Sequence, residues 1–214
     1  MLGCASYTHK QAWYIKAMSF WPGCHDKLVT CGVEHIKQWE CVSGQLVYSN
    51  VYQNDPNRVT TVMSFLQGTL VTGNDEGEIV LWHSEPQTHR EHQLMVNSLA
   101  TATDWMVSGS LSTENEAQVV IWRYGEGQLS PLHRVALEST ITFPPLMTSK
   151  PIVNKPDLPL EVQSLAIDEE NPAVLIGTSR GDIFHYDCQW MTDSNIQSIK
   201  ELSSLNHLLP LLAN

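Results

Sequence analysis

The sequence predicts an all-β chain: four small antiparallel sheets in succession, the blades of a partial or incomplete β-propeller. Three observations predict it. Three short phrases recur four times in the same order. Each phrase has the alternation or composition of a strand leading to a turn. No long run of 3.6-residue periodicity competes with them.

The first phrase is an apolar-alternating strand. It reads Lys16-Ala17-Met18-Ser19-Phe20, then Val62-Met63-Ser64-Phe65, Val96-Asn97-Ser98-Leu99-Ala100 and Val162-Gln163-Ser164-Leu165-Ala166, with a serine expected at the same structural place each time. The second is a short apolar run ending in glycine: Leu28-Val29-Thr30-Cys31-Gly32, Leu70-Val71-Thr72-Gly73, Met106-Val107-Ser108-Gly109 and Val174-Leu175-Ile176-Gly177. The third is a β-branched residue, two more residues and an aromatic: Ile36-Lys37-Gln38-Trp39, Ile79-Val80-Leu81-Trp82, Val119-Val120-Ile121-Trp122 and Ile183-Phe184-His185-Tyr186.

Val, Ile, Thr and aromatics favour a pleated, half-buried surface, and period-2 alternation gives each strand one face to bury. Asp75-Glu76-Gly77 and Ser179-Arg180-Gly181 supply turn chemistry before the third strand. A fourth, outer strand is expected after each aromatic, most clearly at Gln45-Leu46-Val47-Tyr48. Trp39, Trp82, Trp122 and Tyr186 are the structural anchors, each able to fill the gap between adjacent sheets. A β-sandwich is the competing architecture, and four ordered triplets argue against it.

The anchors lie 43, 40 and 64 residues apart. The first two intervals match the 40–45-residue period of one propeller repeat. A stretch with five prolines, from Phe143-Pro144-Pro145 to Leu158-Pro159, explains the long third interval, since it cannot be regular sheet. The blades fall at about 14–50, 58–95, 96–135 and 160–200, with the proline-rich insertion at about 139–159 and a C-terminal tail at 202–214. Four blades are few for a ring of this kind, so the array is expected to be open or completed by further blades in another chain or segment. The apolar tail can cover an open face, form a short helix or link onward.

The 214 residues carry a formal net charge of −11. That balance argues against nucleic acid and against an anionic membrane as partners. The five cysteines, Cys4, Cys24, Cys31, Cys41 and Cys188, are odd in number and scattered, which reads as reduced thiols rather than a disulfide framework. Neither a signal peptide nor a membrane-spanning run is visible, and a cytoplasmic location is expected.

These phrases resemble WD40 repeats in a divergent form. Gly-His is absent, and the residues after the anchors are Glu40, His83, Arg123 and Asp187, so the Asp–His–Ser–Trp network of a standard blade is expected to be incomplete. Within that class the chain is similar to the echinoderm microtubule-associated protein-like family. The segments Ala17-Met18-Ser19-Phe20-Trp21-Pro22-Gly23, Leu28 to Glu40, and Val174 to Ile183 carry the likeness, which covers roughly residues 14 to 187. The resemblance implies a scaffold that binds tubulin or microtubules, or other axonemal proteins, in the cytoskeleton or ciliary axoneme. A general adaptor propeller for peptides or other complexes is the alternative.

No motif points to catalysis: GxSxG, a Gly-rich phosphate loop and a paired-carboxylate signature are all missing. No cofactor or metal is expected. Cys24-His25, Cys31 with His35, and His83, His89 and His92 lack metal-ligand spacing. Cys31 reads as a buried thiol on the second strand, and His89-Arg90-Glu91-His92 as a surface loop ahead of an outer strand. Glu169-Glu170-Asn171-Pro172 reads as a turn with solvated acids. Two loops are candidates for partner contact. One is Ser110 to Ala117, with Glu114 and Glu116; the other is the proline-rich insertion, with Lys150 and Lys155.

Overall fold

The computed structural model describes residues 14–51, 58–111, 116–138, 160–189 and 208–210. Every element in it is a strand except a single-residue 3₁₀ position. Sheet one holds β1 (Ile15–Phe20), β2 (Lys27–Gly32), β3 (His35–Val42) and β4 (Gln45–Val51). Sheet two holds β5 (Thr60–Leu66), β6 (Thr69–Asn74), β7 (Glu78–Trp82) and β8 (Gln87–Arg90). Sheet three holds β9 (Val96–Thr101), β10 (Trp105–Ser110), β11 (Glu116–Gly125) and β12 (Gln128–Glu138). Sheet four holds β13 (Val162–Asp168), β14 (Ala173–Thr178), β15 (Ile183–Asp187) and β16 (Leu208–Pro210). Each is a four-stranded antiparallel meander in chain order. An all-β array of four such sheets is compatible with a β-propeller.

Tight turns set each meander's twist. Ser43-Gly44, Gln67-Gly68 and Glu126-Gly127 are two-residue hairpin turns with both φ angles positive. This is the turn whose own twist matches that of the flanking strands. The β6–β7 turn is built around Asn74, whose Oδ1 accepts hydrogen bonds from the Glu76 and Glu78 amides at 3.0 and 2.9 Å. Gly77 completes that turn for two reasons: its φ is +83°, and a Cβ there would stand 2.3 Å from the His92 carbonyl oxygen.

The innermost strand of every sheet carries the same β-bulge. Pairing skips one residue between Ile15 and Ala17, Thr60 and Val62, Val96 and Ser98, and Val162 and Ser164. A bulge bends its strand and sharpens the local twist. It also separates the four serines. Ser19 and Ser64 pair with Val29 and Val71, whereas Ser98 and Ser164 pair with Gly109 and Gly177. The expectation of one shared serine position is therefore corrected: the serines occupy two positions, two residues apart in register. In the second position the hydroxyl fills the space left by the glycine across from it.

Three apolar joints hold the stack. Val29, Cys31 and Ile36 of sheet one meet Met63, Leu70, Phe65 and Trp82 of sheet two. Val71, Ile79 and Leu81 meet Val96, Met106, Val120 and Trp122 of sheet three. Val107, Val119, Ile121 and Leu137 meet Val162, Ile176, Phe184 and Tyr186 of sheet four. Trp82, Trp122 and Tyr186 thus lie on the face turned toward the preceding sheet. The innermost strands β1, β5, β9 and β13 pack side by side in that order. Among the described residues no corresponding joint links sheet four back to sheet one, and the array is open.

Two expectations change here. Leu208–Pro210, within the tail, pairs antiparallel with β15. It completes sheet four by edge pairing instead of lying across an open face. His89 and Arg90 belong to the outer strand β8, not to a loop ahead of it, and His92 is buried. The proline-rich insertion with Lys150 and Lys155 lies outside the described residues, as does Glu114. Glu116 opens β11 and is paired with Glu138.

Candidate functional site: the inter-sheet joints and the cleft at the strand ends

The anchors share one polar contact as well as one packing role. Trp39 Nε1 donates to Thr30 Oγ1 at 2.8 Å, Trp82 Nε1 to Thr72 Oγ1 at 2.9 Å, and Trp122 Nε1 to Ser108 Oγ at 2.8 Å. The reason is register. The second strand pairs Leu28, Leu70 and Met106 with the three tryptophans, so the hydroxyl residue two positions on lies diagonally across on the same face. A buried indole N–H needs such a partner. In sheet four Tyr186 and Ile176 occupy these positions, and the joint is apolar, with His133 of sheet three stacked 6.0 Å from the Tyr186 ring.

Sheet three extends the pair to a third group. His92 Nε2 lies 2.5 Å from Ser108 Oγ, which already accepts from Trp122. In the tautomer with Nε2 unprotonated, the serine hydroxyl donates to the ring while accepting from the indole. Burial lowers the pKa of His92 from 6.5 to about 4, offset in part by the Gln118 side chain, to which the protonated ring can donate. The ring is held neutral at pH 7. Its position just ahead of the innermost strand, following a polar run, concealed it from the sequence reading. The acceptors Thr30, Thr72 and Ser108 were present in the second phrase, and the signal that marks them is a hydroxyl residue preceding Gly73 and Gly109 directly.

Small residues let the sheets approach. A Cβ on Gly73 would stand 2.7 Å from Val96 Cβ and 2.9 Å from Val62 Cγ1, and one on Gly109 would stand 2.4 Å from Val162 Cγ1. Val96 and Val162 each open the next sheet's innermost strand, so each is a knob seated on a glycine. These contacts are with short branched side chains that cannot swing aside. Gly73→Ala is expected to cost about 1–3 kcal/mol, the usual range for overpacking. Gly125→Ala, where a Cβ meets nothing within 4 Å, is the control and should be near neutral. Urea unfolding of the two variants checks the difference.

No protein-family model matches the chain, and no curated protein matches it significantly. The site therefore rests on its own geometry.

A shallow, wide-open cleft of about 680 Å³ lies where innermost strands end. Phe65 of β5 and Ile167 of β13 line it with apolar surface, Thr101 and Thr103 add polar groups, and Asp168, Glu169 and Glu170 bring three carboxylates. The turn that carries the acids is ordered by Asp168 itself, whose Oδ1 accepts from the amides of Glu170 and Asn171, both at 3.0 Å. Hydrogen bonds from Asn171, first from its backbone and then from its side chain, hold the Asp168 carboxyl below the usual carboxylate range. Glu169 is not simply solvated: it accepts a hydrogen bond from the Thr103 amide and ties sheet four to sheet three. Carboxylates beside apolar surface suit a cationic side chain with an aliphatic stem.

Burial pushes the Cys31 and Cys188 thiols up to about 12. Both are protonated and poor nucleophiles. Among the described residues no group of three or more His, Cys, Asp or Glu is arranged to hold a metal ion. No helix there is long and apolar enough to cross a membrane.

Proposed function

We propose that the chain is a non-catalytic scaffold of the WD40 type, a rigid stack of divergent blades that presents surfaces to protein partners. The supporting observation is the tryptophan-to-hydroxyl hydrogen bond, repeated at one register position in three sheets and joined by His92 in the third. That is the histidine, hydroxyl and indole portion of the network found in standard WD blades, without its aspartate. The partners follow from the sequence resemblance: tubulin or microtubules, or another axonemal assembly, in the cytoplasm. Co-sedimentation with assembled microtubules at low salt tests this. The full chain is expected in the pellet, and its retention in the supernatant would remove the cytoskeletal assignment.

A second reading is favoured by charge. The chain's net charge of −11 and its acidic cleft suit a basic peptide better than an acidic polymer. On this reading the chain is a general adaptor whose cleft takes a Lys or Arg side chain. Binding of Lys/Arg-rich peptides that is lost in Glu170→Lys, together with no microtubule pelleting, would select it.

A further inference from the structure

The open stack ends in two unlike faces. At one end sheet one presents the anchor-bearing face that sheets two, three and four each press against the sheet before them. Here it presses against nothing within the described chain. Met18 and Phe20, on that face of β1, are 66% and 63% exposed. Their equivalents by register in sheet two, Met63 and Phe65, are packed in the first joint. At the other end sheet four presents the opposite face. Leu175 and Ile183 there are 40% and 53% exposed, whereas their equivalents Val71 and Ile79 in sheet two are fully buried.

The two faces also match in detail. Ile15 opens β1 just ahead of the bulge, the place taken by Val96 and Val162 in sheets three and four, and it is 50% exposed. Gly177 stands where Gly73 and Gly109 receive those valines. A Cβ there would meet only Ser164 of its own sheet, and among the described residues no side chain of another sheet reaches it as Val96 and Val162 reach Gly73 and Gly109. One end offers the knob and the other the glycine.

We propose that these ends are an interface between two copies of this chain, joined head to tail so that Ile15 of each copy seats on Gly177 of the other. The contact continues the three joints already formed within the chain. It uses both ends of both copies, and it closes a ring of eight sheets, within the four to eight that closed propellers use. A heterologous contact of this kind either closes or runs on into a filament; two copies satisfy every end. The interface stands on the stack alone and does not depend on which outside partner the scaffold binds.

Sedimentation equilibrium of the full chain across about 1–50 μM decides the matter. The expected mass is twice the 24.0 kDa of one chain. Phe20→Glu and Ile183→Glu damage opposite ends, and each alone is expected to give the monomer with unchanged circular dichroism. Mixed in equal amounts, they should recover a two-chain species, because the intact sheet-four end of the first meets the intact sheet-one end of the second. A wild-type chain that stays at one-chain mass would overturn the proposal, as would a concentration-dependent polymer. So would a variant that still dimerises with itself, since that contact would be like-to-like.

Discussion

Trp122→Ala is expected to destabilise the chain by about 3–5 kcal/mol, the range for removing a large buried aromatic. The side chain is fully buried between sheets two and three, among Leu81, Val96 and Met106, with the His89 ring 5.7 Å away. Truncation leaves a cavity in the middle joint, which is walled by two sheets and collapses poorly. It also strips Ser108 of its indole donor while leaving the hydroxyl buried against His92, a further cost of the order of 1 kcal/mol. Trp39→Ala is the comparison. Trp39 makes the same hydrogen bond to Thr30 but sits on the outward face of sheet one, half-buried, with Tyr48 edge-on at 6.1 Å. Measured by urea unfolding in chains that also carry Phe20→Glu, so that association does not contribute, Trp39→Ala should cost less than half as much. Equal costs would mean that position in the stack does not govern the anchors.

That contrast shows what the sequence could reveal. The aromatic wedges were legible because a large side chain at the end of a β-branched strand has few other uses, and their spacing repeats. The second strands were legible through alternation and their small terminal residues. The common bulge was not. It is one skipped residue in the pairing ladder, and Lys16, Thr61, Asn97 and Gln163 share no side-chain type that would announce it. The outer strand β16 was not legible either, because 20 residues separate Asp187 from Leu208 and periodicity carries no signal across such a gap. The cleft was invisible for a different reason. Phe65, Thr103 and Glu170 lie far apart in the chain and meet because β5, β9 and β13 pack side by side and end together. The unlike ends of the stack share that origin. Nothing in the composition of Met18 or Ile183 separates them from Met63 or Ile79; only the absence of a neighbouring sheet does.

Acid should loosen the stack at its middle joint before carboxylate protonation does so, through His92. In the unfolded chain this histidine titrates near 6.5, and in the fold near 4, because burial disfavours the charged ring. Between those values the unfolded state binds the extra proton. Stability due to this group is therefore complete above pH 6.5, falls as the pH drops from 6.5 toward 4, and is constant below. A gap from 6.5 to about 4 corresponds to about 3 kcal/mol in total. In the charged ring both nitrogens are donors, so Nε2 offers the Ser108 hydroxyl no acceptor, while Trp122 continues to donate to the same oxygen. His35, His89 and His133 are lowered in the same direction, chiefly by burial, and add to the slope. His92→Gln isolates the contribution of one residue, since a glutamine carbonyl can still accept from Ser108 and does not titrate. Urea midpoints measured from pH 7.5 to 4.5 should fall steeply in the wild-type chain and clearly less in His92→Gln. Parallel curves would place the acid sensitivity elsewhere and leave the His92–Ser108–Trp122 contact a packing arrangement without a titrating centre.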